Sequence, residues 1–238
     1  MFDMAVVTFG LPILLHGLLN TVLFCAAAVV LGLMFGSMIA LARVSKRRWL
    51  RFPAQAFVAV MRNTPLLVQA FLVYFALPQI GLRLSATAAG IIVLSMFAAA
   101  NFSEAIRGGI LSVPNGQREA ARAVGMPYLL MMRRIVFAQM LGIVLPSLTN
   151  QIIGVIKESA ALSVITVPEV AMAAQVVVGE SFGPIEAYLM VAILYLILTN
   201  LVAFGMSFLE RRYTGFRLRP GLSKAPGESA VSLAESHS

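Results

Sequence analysis

The sequence predicts an all-α integral membrane protein with five transmembrane helices, and three observations carry that prediction. Apolar residues make up 60% of the 238-residue chain against 12% charged, and the mean hydropathy is +0.90. Polar side chains are too few to cover a water-facing surface. The apolar residues fall into runs close to the roughly 20 residues that a helix needs to cross about 30 Å of hydrocarbon, and no run alternates with the period of two expected of a membrane barrel. The net charge of +8 is gathered between and after those runs. In a soluble domain it would point to nucleic acid, but here it reads as an orientation signal, so the partner surface is membrane lipid and no nucleic acid is expected.

The N-terminal MFDMAVVTFGLPILLHG lacks a basic n-region, and its apolar run continues past signal-peptide length, so a retained span is expected. Residues 18–42 form that first span, with Gly32, Gly36 and Ser37 as small residues for close helix packing and His16 at its outer end. Cys25, the single cysteine, lies inside it and can form no intrachain disulfide. Arg43, Lys46, Arg47, Arg48 and Arg51 follow, with Trp49 as an interface anchor, which puts this end in the cytoplasm and the N-terminus outside. The second span, residues 56–78, carries Arg62, Asn63, Thr64 and Pro65 in its first third, where a kink is expected. A short outer loop with Arg83 leads to the third span, residues 86–105, near whose inner end Glu104 and Arg107 are spaced for an ion pair.

A polar hairpin over residues 107–134 comes next, and Arg107, Arg118, Arg122, Arg133 and Arg134 place it inside. Within it Pro114 and Asn115 supply an opening turn, residues 116–124 a short helix, and Gly125, Met126 and Pro127 a stop. The fourth span, residues 135–156, is expected to break at Pro146; it contains Asn150 and Gln151 and runs into Lys157, Glu158 and Ser159. Residues 159–178 are apolar but hold Pro168 and Glu169 near their middle. Were they to cross, the fifth span, residues 188–208, would deliver Arg211, Arg212, Arg217, Arg219 and Lys224 outside, so a partly inserted, non-crossing helical hairpin is expected. The chain thus divides into a membrane domain, residues 1–214, and a flexible cytoplasmic tail, residues 215–238, rich in Gly, Pro and Ser.

Chemical machinery is sparse. None of the three lysines follows a glycine, which excludes a phosphate-binding Gly-Lys-Ser/Thr loop. One cysteine with His16 and His237 makes no metal cluster, and no nucleophile elbow or catalytic carboxylate pair is present, so neither metal, cofactor nor catalysis is expected on this chain. The cytoplasmic helix remains. Ala120, Ala121, Ala123 and Val124 give it slender sides that suit a cleft, while Arg118, Glu119 and Arg122 suit charge-assisted bonds at the rim of that cleft.

REAARAVG, from Arg118 to Gly125, followed after a basic linker by Ile143, Val144, Leu145 and Pro146, resembles the EAA loop of permease subunits of bacterial ABC importers. Glu119, Ala120, Ala121 and Gly125 match the core of that motif and Pro146 its downstream proline; Val144 is a conservative departure. HGLLNTV, MRNTPLLVQAFLVYFALP, NFSEAIRGGILSVPNGQ and IKESAALSVITVPEV are similar to the polar amino acid uptake branch. The resemblance implies a coupling helix that includes Arg118, Glu119, Ala120, Ala121, Arg122 and Gly125 and seats in a separate cytoplasmic ABC ATPase dimer, which carries ATP and Mg. It also implies a second permease subunit, identical or homologous, an extracytoplasmic amino-acid-binding protein and a bacterial inner-membrane location. Asn150, Lys157, Glu158 and Ser159, where the fourth helix meets its polar end, are candidate pathway residues. The alternatives are a gradient-driven secondary transporter, a non-transporting scaffold, and an importer of an opine or related polar amine.

Overall fold

The computed structural model describes residues 3–214, and the expected tail lies outside them. Every regular element among the described residues is helical. Helix α1 (Met4–Val44) has 41 residues and is about 60 Å long at 1.5 Å per residue, twice the hydrocarbon thickness. It starts well before the expected residue 18 because the Asp3 carboxylate accepts from the Ala5 N–H at 2.8 Å, and Pro12 sits inside the helix without ending it. His16 therefore stands within α1 and not at its outer end; its side chain is exposed.

The second run is broken where a kink was expected. Helices α2 (Arg48–Asn63) and α3 (Leu66–Ile80) meet at 108°. Proline disfavours helical backbone in the residue before it, and Thr64 is extended at φ −114° and ψ 140°. Gln69 seals the corner by donating to the Met61 and Thr64 carbonyls, at 2.9 and 3.1 Å.

Helix α4 (Ala86–Ser112) is capped by the Ser85 hydroxyl and followed by the short α5 (Asn115–Ala123), one residue earlier than expected at each end. Helix α6 (Tyr128–Ile165) has 38 residues. Pro146 does not break it, a correction to the sequence reading: the segment Phe137–Glu158 runs through the proline, as membrane helices tolerate when neighbours relieve the lost bond. Its last turns tighten over Ser159–Ile165 and stop at Thr166, with φ 61°. Helix α7 (Val170–Ser181), at 12 residues, is too short to cross, and α8 (Pro184–Thr214) closes the bundle.

Among the described residues four helices, α1, α4, α6 and α8, are long and apolar enough to cross a membrane, with a fifth span if α2 and α3 count as one. Helix α1 is the spine. Its C-terminal half packs on α4, where a Cβ added at Gly32 would stand 2.6 Å from Ala98 Cβ and one at Gly36 would stand 2.8 Å from the Ala99 oxygen, so the expected small-residue packing is present. Its N-terminal half joins α7 and α8 in a second core that includes Leu14, Val170, Ala174, Val177 and Ala187. The backbone N–H of Asp3 donates to Glu186 at 2.9 Å and ties the start of α1 to the start of α8.

Candidate functional site

Helix α5 stands almost free of the bundle. Ala121 alone among its residues is buried, Arg118 is half-buried, and Glu119, Ala120, Arg122 and Ala123 are exposed. Isolated helices this short are marginal in water, so its two ends have to hold it. At the C-terminal end Gly125, with φ 73°, donates to the Arg122 carbonyl at 2.9 Å, and the Met126 N–H donates to the Ala121 carbonyl at 3.0 Å. This pair of bonds is a Schellman closure, and it requires left-handed backbone at residue 125. It accounts for the spacing of Ala121 and Gly125: one supplies the accepting carbonyl and the other the turn that brings the Met126 N–H to it. Near the N-terminal end the Arg118 guanidinium donates to the Ile110 carbonyl in the last turns of α4. Arg118 is thus a strut within the chain, whereas the sequence had cast it at the rim with Glu119 and Arg122.

Exposed apolar side chains continue past the helix. Val124 is 77% and Leu129 81% exposed, beside Tyr128. Sequence reasoning used Val124 only as a slender side and did not single out Leu129, because nothing in the local pattern separates them from apolar residues that reach the core. A cavity of about 380 Å³, lined by Ser112, Val113, Gln117, Gln139 and Tyr213 among others, opens between the α4–α5 turn, α6 and the end of α8.

Above α5, Glu104 gathers arginines from three helices. The expected partner Arg107 lies 2.5 Å away, and Arg43 of α1 and Arg62 of α2 join at 2.7 and 3.7 Å. The last two were not legible as partners, since they are distant in sequence. The cluster ties the C-terminal turns of α1 and α2 to α4.

The candidate pathway residues divide. Asn150, Lys157 and Glu158 are exposed on α6, and seven- and eight-residue separations put the latter two on the face of Asn150. Ser159 turns inward, buried, and donates to the Ile156 carbonyl at 2.8 Å. No ion pair joins Lys157 to Glu158 among the described residues.

A buried polar node around Glu169, which the sequence reading named only as a polar residue in an apolar segment, fixes the α6–α7 corner. Glu169 is 1% exposed; its carboxylate accepts from the Ala171 and Met172 N–H groups at 2.9 and 2.7 Å and from the Tyr195 hydroxyl at 3.1 Å. Across from it, Asn20 donates to the Pro168 carbonyl at 2.8 Å, and the Thr21 hydroxyl accepts from the Val170 N–H at 3.0 Å. Gly17 makes the approach possible, since a Cβ there would stand 2.7 Å from Ala173 Cβ. The signal was present as Asn20, Thr21 and Glu169 in apolar runs, but their pairing is a matter of tertiary structure.

Residues 28–215 match the family described as the binding-protein-dependent transport system inner membrane component. The chain is 36% identical over 205 residues to the probable amino-acid ABC transporter permease protein YckA of Bacillus subtilis, covering 86% of this chain and 91% of that one. It is 34% identical over 206 residues to the octopine transport system permease protein OccM of Rhizobium meliloti, covering 83% and 84%. The fold superposes on a chain of an amino acid ABC transporter crystallised with histidines, with a TM-score of 0.83 and 33% identity over 89% of this chain and 99% of that one. The family match runs over residues 28–215 and takes in the exposed α5 and its glycine stop: the protein belongs to the inner membrane component family of binding-protein-dependent transport systems, as the non-catalytic permease subunit of an ABC importer.

Proposed function

We propose that the chain forms the solute pathway of an importer for polar amino acids, with α5 as the coupling helix of a separate cytoplasmic ATPase dimer that binds ATP and Mg. The relatives' amino acid and octopine substrates support the solute class. The observation that carries the coupling role is α5 itself: exposed on most of its surface, yet held by the Schellman closure at Gly125 and the strut from Arg118 to Ile110. A helix so held transmits force to α4 through Arg118 and to α6 through Met126 and Pro127. ATPase closure then favours one of two bundle arrangements, because each nucleotide state binds one arrangement better.

The basic segments at the ends of α1, α4 and α8 support an N-terminus outside and these ends inside. Asn150, Lys157 and Glu158 present an uncovered polar face on a helix that crosses the membrane, which suits a pathway shared with a second permease subunit. An extracytoplasmic binding protein delivers the solute. The test is reconstitution with the ATPase and binding protein, with ATP-dependent uptake measured for Glu119→Arg and Gly125→Pro beside wild type. Both variants are expected to lose uptake while remaining folded. Unchanged uptake in both would overturn the coupling role, and uptake by wild type without any ATPase would favour a gradient-driven transporter.

A further inference from the structure

We propose that α2 is not half of a crossing helix but a membrane-surface element whose exposed side binds anionic phospholipid. At 3.6 residues per turn its side chains sort into three arcs. Leu50, Ala54, Phe57, Val58 and Met61 are buried or half-buried against the bundle. Trp49, Phe52 and Val60, with Pro53 and Ala56 between them, form an uncovered apolar stripe, at 67%, 76% and 55% exposure for the three large residues. Arg48, Arg51, Gln55 and Arg62 occupy the third arc. The 108° corner at Thr64 and Pro65 turns this helix away from the axis of α3, so the stripe runs across the direction of crossing.

The occupant follows from charge. Lys46 and Arg47 precede the helix, and Arg48 and Arg51 flank the stripe, with no acidic residue between Arg43 and Arg62. Basic side chains beside an apolar stripe are the pattern of a helix that lies in an anionic lipid surface. Toward the other end, the polar arc borders a cavity of about 290 Å³ lined by Arg43, Gln55, Arg62, Asn63 and Glu104, among others. There three arginines, Arg107 included, face one carboxylate, and Arg43 keeps a buried Nε without a hydrogen-bond partner. Positive charge is left over on the side where phosphodiester headgroups would lie.

Trp49 is the chain's single tryptophan, which makes the proposal measurable. The assembled transporter is placed in nanodiscs containing brominated phosphatidylglycerol or brominated phosphatidylcholine at equal mole fraction, and the signal of a Trp49→Phe sample is subtracted. Brominated phosphatidylglycerol is expected to quench Trp49 more strongly, with a preference of about fivefold for each arginine near the surface, and Arg48→Gln with Arg51→Gln to bring the two lipids together. Equal quenching of wild type by both lipids overturns the charge reading. No quenching by either means that protein covers the stripe, which overturns the proposal. A second variant, Val60→Trp in the Trp49→Phe background, reports depth: a crossing helix would separate positions 49 and 60 by about 16 Å, whereas a surface helix separates them by less than about half of that. The proposal takes its choice of leaflet from the topology above, in which α3 then makes the crossing between α1 and α4, and quenching needs no transport, so either reading can fail alone.

Discussion

Replacing Gly125 by alanine isolates the contribution of one backbone conformation to the proposed subunit coupling. A Cβ built at residue 125 meets no atom within 4 Å, so the substitution introduces no clash. Its cost is conformational: at φ 73° an alanine is less favourable than glycine by about 1 to 2 kcal/mol. The chain can avoid that cost by opening the Schellman closure, which frees the carbonyls of Ala121 and Arg122 and frays the last turn of α5. With the closure open in the free protein, ATPase docking must supply the difference, and affinity is expected to fall about 5- to 30-fold. Gly125→Asn should lose less, since asparagine visits left-handed backbone more readily. Gly116→Ala is the control: it lies inside α5, its Cβ also meets nothing within 4 Å, and alanine there should match or improve docking. Affinity for the ATPase would be read by biolayer interferometry in detergent, beside the bundle's thermal midpoint, which should hold in all three variants. A Gly116→Ala loss as large as that of Gly125→Ala, or no loss in Gly125→Ala, would refute the reasoning.

Gly17→Val forces a side chain into the contact with Ala173 and should destabilise the fold by about 1 to 3 kcal/mol, seen as a lower melting temperature in detergent. Glu169→Leu strands the Ala171 and Met172 N–H groups and the Tyr195 hydroxyl, at about 1 to 3 kcal/mol for each buried group; Glu169→Gln, which keeps one acceptor oxygen, should cost less in the same melt. Glu104→Gln leaves the largely buried Arg43 without its counter-charge and should loosen the joint of α1, α2 and α4, measurable as faster amide exchange in the last turn of α1. Arg118→Met removes the strut to Ile110 and should weaken coupling without changing the bundle's melting temperature, a split read by comparing uptake with stability.

The helical class and α5 were legible because they rest on composition and on local signals: apolar run length, a proline before a helix and a glycine after it. Thr64 and Pro65 announced a break, but whether it is a kink or a 108° corner depends on what Gln69 and the bundle accept. Pro146 misled in the other direction, since the rule that proline ends helices comes from water, and α6 runs through it. Glu104 with Arg107 was readable as a local pair, and Arg43 and Arg62 were not. The least legible feature was the node at Glu169, whose partners lie on three stretches of chain. Sequence marks such residues as polar in apolar company, and only the fold says whom they meet.

On the proposed coupling role of α5, the closure at Gly125 also bears on how fast the chain and its ATPase would assemble. A segment that folds only on contact pays its ordering entropy at the moment of encounter. Helix α5 carries its stop and its strut within the chain, so its shape exists before any ATPase arrives. Association then becomes a rigid search, with its rate set by orientation and by the charges of Glu119 and Arg122. It should respond to salt and be indifferent to helix-promoting cosolvents.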